Sequence, residues 1–158
     1  MNNKFNIVFD IGKENAKILL FNKNGKIIKT SKTKYKLIKF KKNFYFKDIN
    51  FLTNWFKNKI YFINKKYKID SIITSTHGAG IGFVGKNNQA LFGVMDYEND
   101  FKQIEADFNK ILPSYKFTFT PNSEKGLSLA KQILYIKTKH KKIYKNIKNI
   151  LTLPQYIS

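Results

Sequence analysis

The sequence contains no cysteine and no arginine. The first absence excludes disulfides, thiolate catalysis and zinc fingers, and fits a reducing cytoplasm, which is the expected location. The second absence bears on charge. All 30 basic residues are lysines, set against 10 acidic ones, for a net charge of +20. Lysines that neutralise phosphates release counterions and attract any polyanion, so a small basic nucleic-acid-binding protein is one reading. The residue that grips guanine and phosphate with a bidentate fork is nevertheless missing. An excess of Lys, Asn, Ile, Phe and Tyr, all with A/T-rich codons, also follows from genomic nucleotide bias without any binding role. Nucleic acid is therefore not the expected partner. No apolar run approaches the ~20 residues of a membrane span, so none is expected to enter a bilayer. Two histidines without acids at ligand spacing provide no metal cluster and no Ser-His-Asp set.

What is present is enough apolar sequence for one core. A chain of 158 residues has the size of a single domain and buries about two-thirds of its unfolded surface. Phe5 to Asp10 and Ala16 to Phe21 are short apolar runs flanking a polar turn, which predicts two strands of a hairpin. Asn24-Gly25 tolerates positive φ at both turn positions, so Lys26 to Thr33 should fold back as a third strand. Thr33 to Lys47 is too irregular to assign. From Asp48, a capping residue, the spacing Ile49, Leu52, Trp55, Phe56, Ile60, Ile63 predicts one face of a helix. Ile69 to Thr74 then returns to strand character. After a helical crossover this strand should lie parallel to the first. A hairpin around Asn87-Asn88 and two later helices, near Phe101 to Ile111 and Leu127 to Leu134, complete one α/β domain.

Three segments could carry chemistry. Asp10-Ile-Gly-Lys-Glu-Asn-Ala-Lys17 places an acid at the end of a buried strand before a tight turn. Such a turn can aim backbone N–H groups at a phosphate, while Asp10 can hold Mg²⁺ through water and Lys17 adds positive charge. Taken alone, the octapeptide reads equally as an ordinary hairpin. Ser75-Thr-His-Gly-Ala-Gly80 follows the parallel strand, where ligand sites of open α/β sheets collect; a flexible loop is the bland alternative. Asp96-Tyr-Glu98 sets two carboxylates two residues apart. On an extended segment they would share a face and accept hydrogen bonds from sugar hydroxyls, or they are surface acids of a loop. His140, within a run of lysines, reads as solvated.

In order and spacing these segments resemble the N-terminal part of the FGGY carbohydrate kinases. The resemblance also draws on Asn24-Gly25, the Trp55 helix, Ile69 to Gly78, Gly126 to Tyr135 and Leu151-Thr-Leu-Pro-Gln-Tyr156, and so covers essentially the whole chain. It implies a ribonuclease H-like fold of the actin and hexokinase type, with a mixed sheet opening on an antiparallel three-stranded meander and flanked by helices. It implies ATP and Mg²⁺ as cofactors and a sugar or polyol as substrate. Asp10, Gly12, Lys13, Glu14, Asn15 and Lys17 match the phosphate and magnesium turn. Thr76, His77, Gly78, Asp96 and Glu98 match the sugar side. Many members have Thr-Thr or Thr-Ser where Lys13-Glu14 stands here, and Glu14 brings negative charge towards a polyphosphate. The family's general-base aspartate and second domain lie beyond the matched region. Residues 1–158 are thus expected to form a truncated N-terminal kinase domain with little turnover alone, completed by the missing C-terminal kinase portion. A noncatalytic sugar-binding module is a further alternative.

Overall fold

A computed structural model describes residues 4–41, 44–88 and 90–158. The first half of the chain forms β1 (Lys4–Ile11), β2 (Asn15–Asn22), β3 (Ile27–Lys34), β4 (Leu37–Lys41), β5 (Phe44–Lys47), α1 (Ile49–Asn64) and β6 (Lys68–Thr76). The second half forms β7 (Ile81–Val84), β8 (Ala90–Met95), α2 (Lys102–Ile111), α3 (Tyr115–Thr118), α4 (Leu129–Lys139), α5 (Lys141–Tyr144), β9 (Asn149–Thr152) and α6 (Leu153–Ile157). Contacts divide these into two compact units. One comprises residues 1–36, 48–77 and 153–158; the other comprises 37–47 and 78–152.

The first unit is built on a four-stranded sheet in the order β3-β2-β1-β6. The meander is antiparallel, and β6 pairs with β1 in parallel, as the crossover requires. Alternation explains why β1 and β2 hold one face inward: Ile7, Phe9, Ile11, Ala16, Ile18 and Leu20 are all at most 1% exposed. Helix α1 covers apolar surface with the stripe read from its sequence. Phe56 stacks on Phe9 at 3.8 Å between centroids and 7° between planes. Asp48 caps the helix, its carboxylate accepting from the Phe51 amide at 2.9 Å. The β2–β3 turn differs from the expectation, because only Gly25 has positive φ, at 74°. The Asn22 side chain closes the turn instead, accepting from the Asn24 and Lys26 amides.

The second unit carries a five-stranded antiparallel sheet in the order β4-β5-β8-β7-β9. Its core gathers Phe44, Phe46, Ile81, Phe83, Met95, Phe101, Ile104, Tyr135 and Ile136. Phe44 stacks on Tyr135 at 4.3 Å, and Phe101 meets both rings edge-on. His140 is half-buried here, not solvated: it closes α4, and its ring lies 5.7 Å from Phe40 and 5.2 Å from Tyr135. Among the described residues, no helix is long and apolar enough to cross a membrane.

Candidate functional site

In the first unit, parallel pairing brings two of the expected segments to one end of the sheet. Asp10 sits opposite Ser75 and Ile11 opposite Thr76, and the His77 amide donates to the Ile11 carbonyl at 3.1 Å. The β1–β2 turn and the start of the loop after β6 therefore emerge side by side at the carboxyl ends of adjacent strands. Across the hairpin Asp10 faces Lys17, with carboxylate and ammonium 3.6 Å apart and side chains 38% and 43% exposed.

The turn has its own internal bracing. The Gly12 amide donates to the Asn15 carbonyl at 2.9 Å, so that N–H closes the turn and does not point to a ligand. A Cβ at Gly12 would approach the same carbonyl oxygen to 3.3 Å. Tyr35 pins the turn from outside, its hydroxyl donating to the Gly12 carbonyl and its amide to the Glu14 carbonyl. Lys13 and Glu14 are exposed. The Asn15 side-chain oxygen is buried without a hydrogen-bond partner among the described residues. Nothing in the sequence marked Tyr35, because it lies in the stretch that periodicity left unassigned.

These groups fit a magnesium nucleotide in a limited way. Among the described residues there is no cluster of three or more His, Asp or Glu that could hold a metal. Magnesium, however, keeps most of its waters and takes phosphate oxygens, so one carboxylate at a strand end is enough to anchor its shell. Asp10 can accept hydrogen bonds from such waters, and Lys17 supplies a cation beside it.

In the second unit, Gly78 opens the chain segment leading to β7, and Asp96 and Glu98 follow β8. The shared-face expectation for the two carboxylates does not hold, since residues 97 and 98 form a turn. Asp96 points inward at 1% exposure while Glu98 is exposed. One Asp96 oxygen accepts from the Glu98 amide at 2.9 Å, and the other lies 3.4 Å from the fully buried Lys47 ammonium. Asn99 mimics a strand against β5, accepting from the Tyr45 amide at 2.8 Å and donating to its carbonyl at 2.9 Å. Gln132 on α4 ties two loops together: its side-chain amide nitrogen donates to the carbonyls of Ala79 and Gly126. Two carbonyl partners fix the orientation of that amide. Gly126 is a close approach, for a Cβ would fall 2.6 Å from the Phe101 ring and 3.0 Å from the Tyr97 carbonyl. Lys131, fully buried, donates to both oxygens of Glu105 and to the Ser123 carbonyl. Lys47, Asn99, Lys131 and Gln132 all escaped the sequence reading, because a buried polar residue looks like any surface one until its partner is known.

No protein-family model matches the chain, and no curated protein matches it in sequence. Solved structures do match. A carbohydrate kinase from Novosphingobium aromaticivorans aligns at a TM-score of 0.89 with 20% identity, covering 99% of this chain and 33% of the kinase. Gluconate kinase from Lactobacillus acidophilus aligns at 0.82 with 21% identity, covering 98% and 32%. Glycerol kinase from Plasmodium falciparum, solved with ADP, aligns at 0.74 with 13% identity, covering 98% and 34%. The chain thus spans about a third of the length of the kinases it matches, and over nearly all its own length it is a mixed α/β structure with the fold of carbohydrate kinases.

Proposed function

We propose that this chain forms one wall of the active site of an FGGY-type sugar kinase of the ribonuclease H-like class, transferring the γ-phosphoryl of ATP to a hydroxyl of a sugar or polyol. The β1–β2 turn takes the nucleotide phosphates, with Asp10 anchoring hydrated magnesium and Lys17 offsetting phosphate charge. Gly12, Lys13, Glu14 and Asn15 shape the turn. Thr76 and His77, in the same unit as the turn, contact the sugar. Magnesium supplies charge neutralisation on the transferring phosphoryl group, and the chain's own residues contribute mainly position. The observation that carries this reading is the pairing that sets Asp10 and Lys17 beside Thr76 and His77 at one end of a kinase-type sheet. None of the residues named here is assigned the role of general base, so these residues by themselves should bind without appreciable turnover.

Thermal unfolding with Mg-ATP, gluconate, xylulose and glycerol tests this. Saturable stabilisation by Mg-ATP that is lost in Asp10→Asn is the expected result, since a ligand that binds only the folded state raises stability by RT ln(1 + [L]/Kd). Absence of any nucleotide or sugar response, or rapid turnover by the isolated chain, would overturn it.

A further inference from the structure

One row of side chains crosses the first unit's sheet beside the β1–β2 turn. Register sets Ser75 of β6 beside Asp10 of β1, Asp10 opposite Lys17 of β2, and Lys17 opposite Lys32 of β3. Strand alternation places all four on the face away from buried Ile11, Ala16 and Ile18. Lys34 lies on the same face, two residues on, opposite Asn15. The end of the sheet nearest the turn thus sets three lysines on strand positions against the one carboxylate of Asp10, and that carboxylate is already matched by Lys17 at 3.6 Å. Lys17 and Lys32 form the one like-charged pair in the register between β2 and β3. Directly opposite residues have Cβ atoms about 4.5–5.5 Å apart, so such a pair costs stability unless an anion offsets it. At the other end of the sheet Lys4 also faces a lysine, Lys68, but there Asp70 takes the Lys4 ammonium at 2.7 Å. Among the described residues, no carboxylate lies within ion-pair distance of Lys32.

We propose that Lys32 binds the phosphate chain of the ligand beside Lys17 and sets the preference of this site for a polyphosphate over a single phosphate group. This rests on the kinase reading above and adds to it a residue from outside the turn. Lys17 brings little net charge, because Asp10 offsets it, so the positive surplus that a phosphate chain meets here comes from β3. A ligand with several anionic groups can touch both ammoniums at once and relieve their repulsion, whereas a single phosphate held at Lys17 gains less from the neighbouring charge. The sheet fixes where the Lys32 side chain starts, and its exposure lets the ammonium reach a bound anion.

The test measures binding of magnesium tripolyphosphate, Mg-ATP and inorganic phosphate to the full chain by calorimetry, alongside urea unfolding without ligand at low salt. Lys32→Met should weaken tripolyphosphate and Mg-ATP binding about fivefold, the scale of one exposed charge pair, and narrow the preference over inorganic phosphate. Lys32→Arg should keep the parent affinity, as should Lys29→Met, which lies on the same strand facing the other side. Without ligand, Lys32→Met should unfold at higher urea than the parent, because the repulsion from Lys17 is gone; a merely structural residue would lose affinity and stability together. Unchanged affinity in Lys32→Met, an equal loss in Lys29→Met, or a ligand-free chain made less stable by Lys32→Met would each overturn the inference. If the parent binds tripolyphosphate through Lys32 yet ignores Mg-ATP, the kinase reading fails alone. If Mg-ATP binds the parent and Lys32→Met equally, the inference fails alone, and a parent that binds neither anion overturns both.

Discussion

Replacing Asp96 by asparagine should separate the structural part of this residue from any role in binding sugar. The substitution keeps an oxygen for the Glu98 amide and removes the charge opposite Lys47. At 3.4 Å and an effective dielectric of about 20, the lost attraction is about 5 kcal/mol. Lys47 cannot relax into water, because its side chain is 0% exposed. Stranding one member of a buried pair costs about 3–5 kcal/mol, a large share of the ~5–15 kcal/mol that holds a typical domain together. With a urea slope of about 2 kcal/mol per molar, the midpoint should fall by about 2 M. Lys47→Met should cost a similar amount for the mirror reason, and the Lys47→Met/Asp96→Asn double variant should recover much of the loss, since neither buried charge then lacks its opposite. A single-variant loss below about 1 kcal/mol, or strictly additive losses in the cycle, would refute the reasoning, for it would mean the pair is hydrated in solution.

Other consequences are checked more simply. Phe9→Ala removes the ring stacked on Phe56 in a site at 0% exposure, and should destabilise by about 3–5 kcal/mol in chemical denaturation. Gly126→Ala forces a methyl against the Phe101 ring and the Tyr97 carbonyl, which should cost about 1–3 kcal/mol and lower the melting temperature. Burial raises the Tyr135 phenol above its ordinary value of 10.0. The folded state then holds the proton more tightly than the unfolded one, so this contribution is intact below pH 10 and declines as pH rises above it. Tyr135→Phe should flatten the alkaline part of the stability profile relative to the parent protein.

The first unit was largely legible in the sequence, and the reason is local. Phe5 to Phe21 alternates inward and outward around a turn. Asp48 stands where a helix needs a cap, and the Leu52, Trp55, Phe56 stripe lands on Phe9. Parallel placement of β6 followed from the helical crossover that precedes it. The second unit hides its logic in distant pairs. Strands β4 and β5 lie among lysines and an irregular run; β4 pairs with β5, and β5 is fixed by partners 49 to 54 residues away: Asp96 for Lys47 and Asn99 for Tyr45. No window of neighbouring residues contains that information. The same holds for the candidate site. Asp10, Gly12 and Lys17 could be seen because a turn between apolar runs is a local signal, whereas Tyr35 acts on that turn across 23 residues. The expectation that Asp96 and Glu98 share a face failed because it assumed an extended backbone, and the Asp96 carboxylate instead bends the chain by capping the Glu98 amide.

Gln132 sets a timetable. Its side chain holds the Ala79 carbonyl across 53 residues of sequence and the Gly126 carbonyl across 6, so the segment beginning at Gly78 lacks this fastening until α4 exists and has docked. As the chain leaves the ribosome, the β1–β2 hairpin, whose contacts are close in sequence, can close early, since short loops lose little entropy on closing. The segment beginning at Gly78 must wait for more than 50 further residues. The hairpin is thus shaped early in synthesis and the segment after Gly78 late, and a nascent chain shorter than about residue 132 would carry that segment not yet fastened by Gln132.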